Sequence, residues 1–183
     1  MLCRMKGARG KVSEHSPHVK LAVAAMEAYV REGRVIEVPA DVPEELRSTR
    51  AGAFVCLKRE GDLRGCIGTI EPVQDSLAVE IIANAISAAA RDPRFLPVEE
   101  WELDDLTCSV DVLTPAEEVC GVQELDPKRY GVIVESGLRR GLLLPDLEGV
   151  DTAEEQVDIA RRKAFINNDM PIKLYRFEVV RHR

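Results

Sequence analysis

The segment from Leu77 to Ala90 constrains the fold more than any other part of the chain. Its sequence, LAVEIIANAISAAA, is apolar nearly all round and rich in alanine, with Glu80 and Asn84 as polar interruptions. A helix that is apolar on every side must lie inside a protein, and its small residues let other backbone approach closely. We therefore expect a buried central helix that is capped by Asp75 or Ser76.

Two more helices and several short strands are predicted around that helix. Ser16 and Pro17 suit the start of a helix that runs to Gly33. Thr152 and Glu155 have capping-box spacing for a helix that ends near residue 166. Alternation, or apolar runs around turn residues, predicts a hairpin at 53–70, a strand at 106–113, a second hairpin at 131–144 and a closing strand at 174–180. Helices separated by hairpins favour an α+β fold with mostly antiparallel strands.

Composition and charge exclude several classes of protein. A chain of 183 residues suits one large domain or two small lobes. Its 25 basic and 32 acidic residues give a net charge of -7, which argues against a nucleic-acid or anionic-membrane binder. No run reaches the roughly 18 to 20 apolar residues that span a bilayer. Five irregularly spaced cysteines indicate reduced thiols, and together these features predict a cytoplasmic protein.

The segment Leu63–Ile70, LRGCIGTI, carries the most chemical information. As a strand it would place Arg64, Cys66 and Gly68 on one face. Glycines weaken a strand, so Gly65 and Gly68 beside a thiol suggest close approach by backbone or by a ligand. Arg64 would favour the thiolate of Cys66 by charge attraction. In the alternative interpretation Cys66 is a small buried apolar residue and Arg64 is a surface charge.

The register of the first hairpin decides whether a second cysteine lies near Cys66. A two-residue turn at Gly61-Asp62 would pair Cys66 with Leu57 and Cys56 with Ile67, with the two thiols on opposite faces. A three-residue loop would instead place Cys56 directly across from Cys66. The turn residues favour the first register, so we expect no disulfide between these cysteines.

The order and spacing of several motifs resemble the AMMECR family. The first motif is Leu63-Arg64-Gly65-Cys66-Ile67-Gly68-Thr69, and four regions follow it: Asn84–Ala89 with Arg91–Phe95, Tyr130–Glu135, Arg139–Pro145 and Leu174–Glu178. The resemblance covers about Ser13 to His182. It is closest to the prokaryotic form called AmmeMemoRadiSam system protein A. One departure is Phe165, since relatives of this kind usually have glycine after Arg-Lys-Ala.

The resemblance implies a fold of two unequal subdomains, with the Cys66 motif near the cleft between them. Residues 1–12 are then a flexible tail and residues 13–183 the AMMECR-like domain. The resemblance also implies partners, a Memo-like protein and a radical S-adenosylmethionine protein, but no particular reaction or cofactor. We expect neither a nucleic-acid nor a membrane partner, and His15 with His18 supplies at most half of a zinc site, so no metal site is predicted.

The candidate site residues fall into two groups. Cys66 and Arg64 are the candidates for catalysis. The candidates for binding are Gly65, Gly68, Thr69, Asn84, Arg91, Arg94, Arg139 and Arg140. Arg91 and Arg94 could hold a loop or meet an anionic ligand, and Arg139 with Arg140 could instead be a solvated strand edge. Asn84 is a buried amide that must find hydrogen-bond partners.

Two functions from different classes fit these residues. One is a ligand-binding or partner-binding module that acts with the Memo-like and radical proteins. The other is a cleft enzyme or modification factor in which Cys66 is a nucleophile or redox thiol. We favour the module, because no base, metal set or phosphate loop completes a catalytic constellation in the sequence.

Overall fold

The computed structural model describes residues 15–183. The tail predicted for residues 1–12, with Cys3, lies outside the described residues. The helices are α1 (Pro17–Glu32), α2 (Glu44–Ser48), α3 (Leu77–Ala90) and α4 (Ala153–Lys163), with 3-10 turns at Glu100–Asp105 and Val122–Glu124. The strands are β1 (Ala53–Arg59), β2 (Asp62–Gly68), β3 (Leu106–Leu113), β4 (Glu117–Val119), β5 (Gly131–Ser136), β6 (Arg139–Leu143), β7 (Lys173–Phe177) and β8 (Val179–His182).

The three predicted helices are confirmed. Ser16 caps α1 and Ser76 caps α3, each by accepting a hydrogen bond from a backbone N–H in the first turn. Ten of the fourteen residues of α3 are buried, as its apolar sequence predicts. The capping box of Thr152 and Glu155 begins α4, but this helix ends at Lys163, three residues earlier than expected. The short helix α2 was not predicted.

The first sheet has the strand order β2-β1-β3-β8. Its residues alternate between two faces, and Val55, Leu57 and Val110 point to the face that α1 and α3 cover. The opposite face carries Phe54, Cys56 and Ser109, which are only partly buried. The helices therefore cover one face of the sheet and leave the other available for a cleft.

The second sheet has the order β4-β7-β5-β6 and packs against α4. Val132, Val134 and Val157 lie in the core between this sheet and the helix. The approach is close, since a Cβ on Gly141 would lie 2.0 Å from the carbonyl oxygen of Ala160. Glycine at this position of β6 is therefore a packing requirement.

The predicted closing strand crosses from one sheet to the other. It is interrupted at Glu178, so that β7 belongs to the second sheet and β8 to the first. A third cluster of buried residues, which includes Ile133 and Phe177, packs with Phe54 and Ile70 and joins the two sheets. A single strand of uniform register was predicted here, because the sequence gives no sign of the switch.

The sheet pairings confirm the predicted α+β class, since every strand pair in residues 15–183 is antiparallel. The division into two unequal subdomains stays a prediction. Among the described residues, no helix has both the length and the apolar character to cross a membrane.

Candidate functional site

The first hairpin has neither of the two turns considered from the sequence, yet it pairs the cysteines as the three-residue loop would. Its turn is Glu60-Gly61, with both residues at positive φ as in a type I′ turn, and Arg59 pairs with Asp62. A bulge then shifts the register, because Lys58 pairs with Leu63 whereas Leu57 pairs with Gly65. The prediction that the two thiols lie on opposite faces is therefore wrong. Cys56 pairs directly with Cys66.

Cys56 and Cys66 lie side by side on the sheet face that the helices leave uncovered. Both are partly buried and both are reduced. The hydrogen bond between the two thiols lowers the pKa of Cys56 to about 7 and raises the pKa of Cys66 above its ordinary range. The more acidic member of the pair is therefore Cys56 rather than the predicted Cys66.

The backbone of Cys66 is held from outside the sheet by two charged side chains. Its N–H donates to the Asp92 carboxylate at 2.9 Å, and its carbonyl oxygen accepts from Arg94 Nη2 at 3.1 Å. Arg94 also donates to both oxygens of Asp92, at 2.9 and 2.6 Å. These hydrogen bonds hold the pKa of Asp92 well below its usual range. At Cys66, both backbone hydrogen-bonding groups on the outer edge of β2 therefore have partners.

Arg64 does not act on Cys66 in the way the sequence suggested. It is the extra residue of the bulge, and its guanidinium binds Glu102 through two hydrogen bonds of 2.8 Å. Its other donors reach the carbonyl oxygens of Leu96 and Pro97 at 3.0 and 3.3 Å. Glu102 is buried and holds this charge in place. Arg64 thus ties β2 to the segment after α3, and Arg94 is the arginine that contacts Cys66.

The two glycines of the motif lie against protein atoms on opposite faces. A Cβ on Gly65 would lie 2.2 Å from the carbonyl oxygen of Ala88, so α3 packs directly on the strand backbone there. A Cβ on Gly68 would lie 2.3 Å from the ring of Phe54. Close protein contacts thus give a packing reason for each glycine.

Asn84 and Thr69 belong to a buried network on the helix side of the sheet. The amide of Asn84 donates to the carbonyl oxygen of Ala53 at 2.9 Å and to Thr69 Oγ1 at 3.4 Å. Thr69 in turn donates to Glu80 Oε1 at 2.7 Å. Glu80 Oε2 accepts hydrogen bonds from two backbone N–H groups in the loop between β2 and α3, at 2.8 Å each. The partners that a buried Asn84 requires are therefore strand and loop atoms.

A cleft of about 1510 Å³ runs from the space between the uncovered face of the first sheet and the β6–α4 side of the second, past the start of β3, to α1. Cys56, Cys66 and Arg94 line it from the first sheet and its neighbouring loop. Leu142 and Lys163 line it from the opposite side. The predicted site at Cys66 thus lies in a cleft between the two sheets.

Lys163 brings a positive charge into this cleft from the side opposite Arg94. Its ammonium group donates to the carbonyl oxygen of Leu142 at 3.0 Å. Burial lowers the pKa of Lys163, and the positive charge of Arg94 lowers it further. Two cations that repel each other are costly unless a negative group is close. Acidic side chains such as Asp111 and Asp146 also line the cleft, so its positive character is confined to the side where Lys163 faces Arg94.

The other predicted arginines lie outside this arrangement. Arg91 is exposed at the end of α3. Arg139 donates to the carbonyl oxygen of Phe165, and Arg140 donates to Glu71 at 2.6 Å. The contact of Arg140 joins the second hairpin to the loop that follows β2. None of these three residues lines the cleft at Cys66.

His18, one of the two histidines considered for a metal site, stacks on a histidine from β8. The rings of His18 and His182 stack with their centroids 3.6 Å apart. Within residues 15–183, no group of three or more histidine, cysteine or acidic side chains is arranged to hold a metal ion.

Sequence reasoning missed Cys56, Asp92 and Lys163. Cys56 depended on a register that a bulge changes. In the sequence, Asp92 precedes a proline that would end the helix, and Lys163 lies in the last turn of α4, where a positive charge complements the helix dipole. The signal for Asp92 was available, because an acidic residue just after a buried helix lies close to whichever strand that helix covers.

These features define a class: an antiparallel α+β protein with a thiol-lined cleft between two sheets. The AMMECR1 family profile matches residues 19–182, and the chain belongs to this family.

The chain is similar to several proteins from bacteria and archaea. A protein of Thermotoga maritima is 57% identical over 174 residues, which are 94% of this chain and 99% of the relative. A protein of Clostridium acetobutylicum is 51% identical over 94% of this chain, which spans only 37% of that relative's length. The crystal structure of an uncharacterised protein of Pyrococcus horikoshii has 37% identity and a TM-score of 0.81, covering 90% of this chain and 88% of that one. This neighbour supports the α+β fold.

Proposed function

We propose that this protein is a binding module whose cleft receives a small anionic group. The observation that carries the proposal is the convergence of Arg94 and Lys163 on the Cys66 side of the cleft. Asp92 neutralises Arg94, whereas Lys163 donates to a neutral carbonyl oxygen. A carboxylate or phosphate between these cations would relieve their mutual repulsion.

The proposal extends to partners of the module. The sequence resembles protein A of the AmmeMemoRadiSam system. In that system the module would act with a Memo-like protein and a radical S-adenosylmethionine protein. The relative from Clostridium acetobutylicum supports a role in an assembly, because there the matching region is one part of a longer chain. The proposal includes a cytoplasmic location, since the four described cysteines are free thiols.

Anion titration tests the cleft. Pyrophosphate and succinate are titrated by calorimetry into the native protein and into the variants Lys163→Gln and Arg162→Gln. Arg162 is the matched control, because it lies on the same helix turn but pairs with Asp158 at 3.1 Å in solvent. We expect binding that Lys163→Gln weakens about tenfold or more and that Arg162→Gln leaves unchanged. Equal effects of the two variants, or no binding of either anion, would refute the cleft assignment.

Direct binding tests the partner proposal. The Memo-like and radical proteins from the same genome are immobilised separately, and this chain is passed over each. Saturable binding to either supports the module, and the same measurement with Lys163→Gln shows whether the cleft takes part. Absence of binding to both, at concentrations where the chain remains folded and monodisperse, would contradict the proposed assembly.

A thiol enzyme is the second candidate function. The direct pairing of Cys56 with Cys66 favours it. In the original hypothesis Cys66 was the nucleophile, but its raised pKa makes Cys56 the better candidate.

A further inference from the structure

We propose that Cys56 and Cys66 form a redox-active dithiol that is oxidised reversibly to a cross-strand disulfide by exchange with a low-molecular-weight disulfide. The inference does not depend on the anion site or on the partner proteins. It rests on the register of the hairpin, on the outward direction of the backbone of Cys66, and on the position of both thiols in the cleft.

The hairpin register brings the two cysteines into the right type of pair. The N–H and carbonyl groups of Cys66 point away from β1, to Asp92 and Arg94. Cys56 and Cys66 are therefore a non-hydrogen-bonded pair, in which opposite Cα atoms lie about 4.5 Å apart and side chains are closest. This separation falls at the short end of the range that a disulfide spans, about 4.4 to 6.8 Å. The direct pairing of Cys56 with Cys66 thus brings the two side chains to the same place on the same face.

The surroundings of the pair favour exchange over permanent burial. All three thiols line the cleft, but Cys108 packs against the helix-covered core and burial raises its pKa, whereas Cys56 and Cys66 lie on the uncovered face. Lys58 and Arg181 favour the thiolate of Cys56, and Arg94 favours that of Cys66, although Asp111 opposes both. Thiolate character and access to the cleft are the two requirements of a thiol that attacks a disulfide.

The chemistry balances as two successive exchanges. The thiolate of Cys56 attacks one sulfur of the disulfide RSSR, forming a Cys56–SR bond and releasing RS⁻, which takes up the proton that Cys56 lost. Cys66 then loses its proton and attacks the sulfur of Cys56, forming the Cys56–Cys66 bond and expelling the second RS⁻, which takes up that proton. Two electrons pass from the protein thiols to RSSR, which is reduced to two molecules of RSH. An external dithiol reverses the sequence.

The bulge and the charged contacts hold the pair ready for this reaction. Asp92 and Arg94 fix the backbone of Cys66 from one side, while β3 pairs with β1 at Ser109 on the other. Closing the disulfide then requires side-chain rotation at two cysteines, without a change of strand register. Such transient disulfides are the kind found in reducing compartments, where they serve catalysis or sensing.

The test uses the full chain and oxidised glutathione. The native protein is incubated with glutathione disulfide, quenched with an alkylating reagent, digested with trypsin and analysed by mass spectrometry. We expect the loss of two free thiols per chain and a link between the tryptic peptides 51–58 and 65–91 that dithiothreitol cleaves. Glutathione found only on the exposed Cys120, with no link in the folded protein, would overturn the proposal.

Single variants separate the two steps. In Cys66→Ser the resolving thiol is missing, so glutathione should remain attached to Cys56. In Cys56→Ser, glutathione should add to Cys66 at least tenfold more slowly than it adds to Cys56 in the Cys66→Ser variant. Cys108→Ser is the matched control, and in this variant the Cys56–Cys66 disulfide should form at the native rate. Circular dichroism of each variant verifies folding. A link that forms only in urea, or one that also involves Cys108 in the native protein, would contradict the assigned pair.

Discussion

Asp92 accepts the backbone N–H of Cys66 at 2.9 Å, across 26 positions of sequence. The side chain of Asp92 is only 2% exposed, yet it is charged and bound to Arg94. The end of the central helix and the edge strand of the first sheet are thus joined by a buried carboxylate. The strand that carries the thiol is fixed by residues that immediately follow the helix beneath it.

Replacement of Asp92 by asparagine should destabilise the protein by about 2 to 4 kcal/mol at pH 7, because Arg94 and the N–H of Cys66 lose a charged acceptor. Urea unfolding of the two proteins measures the difference. Glu71→Gln is the control, since its ion pair with Arg140 is exposed and should contribute less than 1 kcal/mol.

The same comparison has a defined pH dependence. The folded-state pKa of Asp92 is depressed, so its stabilisation is complete above the unfolded-state pKa of about 3.9 and is lost as the pH falls from there through the folded value. The gap between wild type and Asp92→Asn should therefore hold at pH 5 to 7 and narrow below about pH 4. A gap that stays constant down to pH 3 would contradict the depressed pKa.

Gly65→Ala should destabilise the fold by about 2 kcal/mol or more, because its Cβ would overlap the backbone carbonyl of Ala88. No side-chain rotation can relieve a contact with backbone. Gly137→Ala is the control: Gly137 has φ +59 and open space around it, so alanine adds only the cost of left-handed backbone, about 1 kcal/mol. Urea unfolding compares the two variants, and equal losses would show that α3 does not press on β2.

The hairpin shows how far the sequence predicts this site. Alternation and apolar runs located β1 and β2, and the Ala-rich segment correctly predicted a buried helix with backbone packed against it. The register failed because the turn lies one residue earlier than predicted, at Glu60-Gly61, and because Arg64 is extruded as a bulge to reach Glu102, which lies 38 positions away. Local turn preference cannot anticipate that contact. The pairing of Cys56 with Cys66 is therefore a tertiary property, as is the position of Lys163 across the cleft.

When the alkylation rate of each of the four described thiols is divided by its exposed area, Cys56 should have the highest value. Its alkylation rate should be half-maximal near pH 7. Burial raises the pKa of Cys108 to about 12, so Cys108 should remain unlabelled at pH 8 until the protein unfolds. Brief alkylation at several pH values, followed by mass spectrometry of each peptide, ranks the thiols.

The Cys66→Ala variant isolates the cause of that reactivity. Removing the hydrogen bond from Cys66 should move the midpoint for Cys56 up towards the value of a free thiol, about 8.5. Cys120→Ala is the control, because Cys120 is exposed and contributes nothing to the pKa of Cys56. An unchanged midpoint in Cys66→Ala would show that the nearby cations, rather than the paired thiol, set the acidity.

Phe165→Gly should stabilise the protein by about 1 kcal/mol, which is worth about 2 to 4 °C in melting temperature for a chain of this size. Phe165 follows the end of α4 at φ +55, where its N–H donates to the carbonyl oxygen of Arg162 and the N–H of Ile166 donates to that of Arg161. This is the Schellman ending of a helix, whose left-handed residue is usually glycine. The ring is 81% exposed, so its loss removes little packing.

Ala164→Gly is the control: at φ -95 alanine is unstrained, and glycine there should destabilise through the greater entropy of the unfolded chain. A lower melting temperature for Phe165→Gly would mean that the exposed ring makes a contact worth more than the backbone strain it imposes.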